Sequence, residues 1–306
     1  MAHAHQANIL LTQDTQPDYL ADPKAYARWR DSKLAAYPVS QDRLRLVIED
    51  PACLSAAEIE RINRACSAYG FVLFDNAAKN MDKSLLKAMG RQLGLKHLDR
   101  NLCADAEGVS SISVHQHSAL HETYIPYSTR GLSWHTDGYY NKSTEAIRGV
   151  ILYCKSAAAT GGSNRFMDHE ILYILLREQN PDFVRALSAP DVMTIPANVV
   201  DGKEIRAQQS GPVFSLNPLN GRLHMRYSAR KKHITWKQDE VTRAAVAAIE
   251  KILNSQSQYI VEYTPQAESG VISMNCLHNR SSYSNDEAQG RVRLVYRARY
   301  HDVLAG

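Results

Sequence analysis

The sequence predicts an α+β protein in which helices precede a β barrel or sandwich. Three patterns carry that expectation. Capped helical stretches fill the first hundred residues, short apolar runs dominate from about Ser110 onward, and two further helical stretches interrupt those runs.

In chain order, the first fifty residues are polar and irregular apart from one helix expected over Pro23 to Ala36. Ser55 then opens a second helix, with Glu58 three residues on as the partner of a capping box and Gly70 as the stop. The run Phe71-Val72-Leu73-Phe74 reads as a short buried strand, and Asp82 to Leu93 as a helix closed by Gly94. Strands are expected at Ile112 to Val114, Arg148 to Cys154, Arg222 to Tyr227, Tyr259 to Tyr263, Val271 to Asn275 and Val292 to Tyr300. The inserted helices are Asp168 to Gln179 and Asp239 to Asn254, the second clearly amphipathic with acids at its start.

With 306 residues, 44% hydrophobic and 22% charged, the chain suffices for one large globular domain or two small ones. We expect a single domain over 1–306, with 1–50 as an N-terminal extension and the β core at about 110–300. No apolar run approaches the ~20 residues of a membrane span, and the first residues lack the basic-then-apolar pattern of a signal peptide. The five cysteines lack a CxxC pair, which argues against a zinc ribbon or a disulfide scaffold and for a reducing, cytoplasmic compartment. A net charge of +4 gives no reason to expect nucleic acid as a partner. Its one local concentration, Arg222 to Lys237, is expected to be a solvated strand and turn, with an anion-binding wall as the alternative.

The segment LSWHTDGYYN places His135 and Asp137 two apart. On extended backbone such residues point to one side, so an imidazole and a carboxylate can reach one ion together. Alone, that pattern is weak. A second run, Gly270 to Arg280, delivers His278 at the end of a predicted strand. Beyond it Arg291, Arg293, Arg297 and Arg299 share one parity of a strand, and guanidinium groups are costly to bury unless they meet anions. Two histidines and a carboxylate on one face of iron leave positions for a keto acid and for dioxygen. The far carboxylate of 2-oxoglutarate would then call for an arginine, and Arg293 stands suitably beyond His278.

On these residues the chain resembles the taurine dioxygenase and γ-butyrobetaine hydroxylase superfamily of Fe(II)/2-oxoglutarate oxygenases, from roughly Ala57 to Tyr300. The match takes in the GFVLF strand, the WHTDG segment, the turn Thr160 to Asn164 and the HNR…RxxxR ending. The resemblance implies a double-stranded β-helix (jelly-roll) core with N-terminal helices and a helical insert before the His278 strand. It also implies iron bound by His135, Asp137 and His278, with 2-oxoglutarate and O2 as co-substrates. Arg293 takes the place of the arginine that holds the distal carboxylate, and Arg297 that of a second, substrate-facing arginine. Asn164 stands where the taurine enzyme has a threonine touching 2-oxoglutarate, and a longer His278-to-Arg293 stretch leaves Arg291 as a rival to Arg293. The expected reaction is hydroxylation of an unactivated C–H in a small, amino-acid-like or anionic molecule, by a chain that relatives suggest is a homo-oligomer. Desaturation, cyclisation and dealkylation are the alternatives within the class, and a silent metal-binding or sensor protein the alternative outside it. His115, His117 and His121 are expected either to line the substrate pocket or to lie in a solvated loop, and Tyr139 and Tyr140 either to border the pocket or to pack in the core.

Overall fold

The computed structural model describes residues 9–10, 18–79, 81–99, 108–114, 125–200, 202–230 and 233–304. They divide into two compact units. One comprises 1–38, 134–146 and 167–260, and the other 39–133, 147–166 and 261–306. The architecture is α+β, as the sequence predicts.

The second unit is built on a six-stranded sheet. Its order is Arg45–Ile48, Phe71–Asn76, Ser269–Ser273, Gly149–Ser156, Leu294–Tyr300 and Val109–Ile112. Only the first pair is parallel. Phe71, Val72, Leu73 and Phe74 are all buried, which explains an apolar run without alternation: both faces of this strand are covered. The helix Ala56–Tyr69 feeds directly into it. Glu58 N–H donates to Ser55 Oγ at 3.2 Å, Ser55 N–H donates back to Glu58 at 2.7 Å, and Gly70 ends the helix at φ 79°, a left-handed conformation that glycine adopts without strain. Gly270 is equally constrained, because a Cβ there would collide with the Phe74 ring and the Leu152 carbonyl of the flanking strands.

A second sheet runs in the order Val261–Tyr263, Asn164–Met167, Leu277–Arg280 and Leu132–His135. Phe166 stacks on Phe71 at 4.8 Å between ring centroids, packing this sheet against the first.

In the other unit, four helices start where an Asp or Asn side chain caps the first turn. Asp22 precedes Pro23–Ala35, Asp168 precedes His169–Gln179, Asn180 precedes Pro181–Leu187, and Asp239 precedes Glu240–Leu253. A buried ion cluster ties the first helix to the second. Lys33 Nζ lies 2.6 Å from Asp168 and 2.7 Å from Glu170, and Arg222 meets Glu170 in a two-pronged contact at 3.0 and 2.9 Å.

Several expectations change. The strand Arg45–Ile48 lies in a stretch read as irregular, because its short apolar run acquires a partner only from Phe71–Asn76. The strand expected at Ile112 to Val114 is instead Val109–Ile112. The segment between Asn164–Met167 and Val261–Tyr263 holds three helices and seven short strands among the described residues, more mixed than a helical insert. Within Arg222 to Lys237, Arg222 pairs with Glu170 and Arg226 is spent on backbone carbonyls, so these two are not part of a solvated face, whereas His233 and Lys237 are exposed. No described helix is long and apolar enough to cross a membrane.

Candidate active site

The strand Leu132–His135 ends at the first of the paired candidates, and Asp137 follows in a turn. Extended geometry nevertheless continues past His135. Ala229 N–H donates to Trp134 O at 2.8 Å, His135 faces Ser228 in an antiparallel bridge, and Thr136 N–H donates to Tyr227 O at 3.0 Å. Tyr227 N–H returns a bond to Thr136 Oγ1 at 3.1 Å. The two residues thus lie on a backbone held by the neighbouring segment Tyr227 to Ala229 rather than in a loose loop. Asp137 is 4% exposed, His135 is half-buried, and Gly138 turns the chain at φ 66°.

Arg226 fixes the turn after Asp137. Its guanidinium donates to Tyr139 O at 2.7 Å, to Met193 O at 3.1 Å, to Gly211 O at 3.2 Å and to Gln209 O at 2.9 Å. Burial, with Arg206 nearby, pushes its pKa down to about 10. Tyr139 lies edge-on to His135, centroids 6.5 Å apart, and to Tyr140 at 5.2 Å.

In the second unit, His278 stands in the strand Leu277–Arg280, half-buried, its ring stacked on Phe166 at 6.1 Å. His278 Nδ1 lies 3.1 Å from Cys276 O. A carbonyl can only accept, so Nδ1 carries the proton and Nε2 the lone pair, the tautomer of a metal-binding imidazole. Arg280, two residues on, donates to the carbonyls of Pro126, Ser128 and Arg130 at 3.2, 2.8 and 2.5 Å, tethering the segment that leads into Leu132.

Arg293 is 7% exposed and forms no ion pair among the described residues. Its Nη1 is buried and has no hydrogen-bond partner there. Burial pushes its pKa below that of an ordinary arginine, a shift that the neighbouring Tyr283 offsets only in part. Arg291, by contrast, is exposed and closes a tight hairpin through its backbone with Asp286. Arg297 is half-buried, opposite Leu152 and Ser110 in the sheet, and Arg299 meets Asp99 in a buried ion pair. Asn164 is buried, and its amide donates to Gly162 O at 3.3 Å.

His135 and Asp137 therefore belong to one unit, and His278, Arg293, Asn164 and Arg297 to the other. No three histidine, cysteine, aspartate or glutamate side chains form a metal-holding group among the described residues. His115, His117 and His121 lie outside the described residues. Sequence reasoning missed the tethering roles of Arg226 and Arg280, because their partners are backbone carbonyls, which leave no trace in residue identity.

A family model described as "Taurine catabolism dioxygenase TauD, TfdA family" matches residues 30–298. The chain belongs to this family. Its members are oxidoreductases that use Fe(II), 2-oxoglutarate and O2. Among curated proteins, a uridine-5'-phosphate dioxygenase from Amycolatopsis sp is 34% identical over 109 residues, covering 36% of this chain and 38% of that relative. The match thus spans well under half of the relative's length. Among solved structures, the non-haem iron oxygenase OrfP with Fe and alpha-ketoglutaric acid aligns at TM-score 0.59 and 15% identity, covering 82% of each chain. An asparagine oxygenase in complex with Fe(II), 3-hydroxyasparagine and succinate aligns at TM-score 0.55 and 14% identity, covering 98% of this chain and 94% of that one. A taurine dioxygenase from Burkholderia xenovorans aligns at TM-score 0.53 and 16% identity, covering 84% and 86%. At these identities the likeness is one of fold.

Proposed function

We propose that this chain is an Fe(II)- and 2-oxoglutarate-dependent dioxygenase that hydroxylates an unactivated C–H of a small anionic or amino-acid-like molecule, releasing succinate and CO2. In this reading the whole chain acts as one oxygenase domain with a double-stranded β-helix core, and His135, Asp137 and His278 bind the iron. The observation that carries it is Arg293, a buried guanidinium with an unpartnered N–H and no ion pair among the described residues, in a family whose co-substrate ends in a carboxylate.

By donor type, the set suits the metal. Two imidazoles and one carboxylate are what non-haem iron takes while keeping positions open. The Cys276 carbonyl fixes the His278 tautomer, and the segment from Tyr227 to Ala229 holds the backbone on either side of His135. Bound together, iron, 2-oxoglutarate and O2 supply an oxidant able to take hydrogen from an unactivated carbon. The protein's own share is orientation. Arg293 anchors the co-substrate by its far end, Arg226 and Arg280 hold the segments on either side of the ligand pair, and Arg297 is a candidate for an anionic group of the substrate. The uridine-5'-phosphate dioxygenase acts, by its name, on a molecule that carries a phosphate, which supports an anion here as well.

The test is succinate formation by the purified protein with Fe(II), 2-oxoglutarate and O2, against a panel of small anions and amino acids. Slow turnover without substrate, accelerated by one class of molecule, is the expected result. No succinate under any condition, with no iron bound, favours the silent metal-binding reading.

A further inference from the structure

Tyr283 lies beside Arg293 and has no role in the reading above. It is 6% exposed, and its hydroxyl is buried without a hydrogen-bond partner among the described residues. Its ring sits beneath two guanidinium groups, with Arg293 Cζ 5.0 Å and Arg280 Cζ 4.8 Å from the ring centroid. Contacts of that kind hold an aromatic ring in place. The backbone is fixed as well. Tyr283–Ser284 pairs with Thr160–Gly161, and Tyr283 N–H donates to Thr129 O at 3.0 Å.

A glycine turn lies against this pair. Gly162, at φ 77°, stands where a Cβ would lie 3.6 Å from Tyr283 Cβ and 3.9 Å from Arg293 Nε. Among the described residues, two neighbouring polar side chains, each more than nine-tenths buried, thus carry a hydroxyl and a guanidinium N–H that no third residue satisfies, and Tyr283 bears on the Arg293 guanidinium directly. Native proteins seldom leave such groups without a partner unless a ligand supplies one. Both are donors, and the ligand they suit is an anion with two acceptor oxygens.

We propose that Tyr283 is the second anchor of the co-substrate's distal carboxylate, its hydroxyl donating to one oxygen while Arg293 donates to the other. Asn164, whose slot in the family suggests that role, already gives one of its two amide N–H groups to Gly162 O and has only the other to offer. The inference rests on Arg293 binding 2-oxoglutarate.

The experiment measures binding to the full-length protein by calorimetry, with Mn(II) as a redox-silent metal. Two keto acids are compared: 2-oxoglutarate, and 2-oxopentanoate, which has a methyl group in place of the distal carboxylate. Tyr283→Phe removes only the hydroxyl. It should weaken 2-oxoglutarate roughly 10-fold to 100-fold, the range for a hydrogen bond to a charged group, and leave 2-oxopentanoate unchanged. Asn164→Ala should weaken 2-oxoglutarate less than Tyr283→Phe does. Undiminished 2-oxoglutarate binding by Tyr283→Phe overturns the proposal, as does equal weakening of both keto acids, which marks a merely structural role. Arg293→Ala separates the Tyr283 assignment from the reading beneath it. If this variant binds 2-oxoglutarate as the parent does, the underlying reading of Arg293 fails. If it loses binding while Tyr283→Phe keeps it, only the Tyr283 assignment fails.

Discussion

Acid should unfold this protein partly through one carboxylate, Glu170. Burial alone would raise its pKa, but Lys33 and Arg222 outweigh that and lower it from 4.5 to about 2. A carboxyl held so far below its ordinary value contributes of the order of 3 kcal/mol at neutral pH, since each tenfold change in proton affinity is worth about 1.4 kcal/mol. The folded-state value is the depressed one. The contribution is therefore complete above 4.5 and is lost as pH falls towards about 2. Glu170→Gln keeps the size but discards the charge and turns one of two acceptor oxygens into an NH2 donor, leaving Lys33 and Arg222 with one anion fewer. Urea melts of parent and variant between about pH 7 and about pH 3 provide the assay. The variant should be less stable by about 3 kcal/mol at neutral pH, and the gap should close as acid is added. Parallel stability profiles across that range would refute the reasoning.

Other expectations are narrower. Ser55→Ala removes an N-cap and should cost about 1 kcal/mol in a urea melt, with activity unchanged. Gly270→Ala drives a methyl group into Phe74 and the Leu152 carbonyl, and should cost about 3 kcal/mol or more by the same measurement. Arg226→Lys keeps a charge but cannot reach four carbonyls at once. It should loosen the turn after Asp137 and weaken Mn(II) binding by about tenfold in calorimetry, with far-UV circular dichroism unchanged.

Helices were the legible part of this fold because their signals are local. Ser55 with Glu58 and Gly70, Asp82, Asp168 and Asp239 each mark an end that the structure keeps to within about a residue. Strands depend on distant partners and were read less well. Arg45–Ile48 becomes a strand because Phe71–Asn76 lies beside it, and the short strands between Met193 and Leu216 have too few residues to show a period. The same limit applied to charges. The acid that meets Arg222 is 52 residues away in sequence, so nothing local marks the first arginine of the basic stretch as half-buried in an ion pair. In the proposed site, the pattern of His135, Asp137, His278 and Arg293 is visible because its chemistry lies in residue identity. Tyr283 is not, since an aromatic residue declares a role only once its hydroxyl is found buried beside a guanidinium.

One ferrous ion held by His135, Asp137 and His278 is the claim on which the proposed function depends. An anaerobic titration of Fe(II) into the 2-oxoglutarate-loaded protein, followed by the charge-transfer absorption of the bound keto acid, measures this directly. One ion per chain is expected, with the signal lost on changing any of the three residues to alanine. His278→Ala protein that binds iron with parental affinity and the same absorption would contradict it.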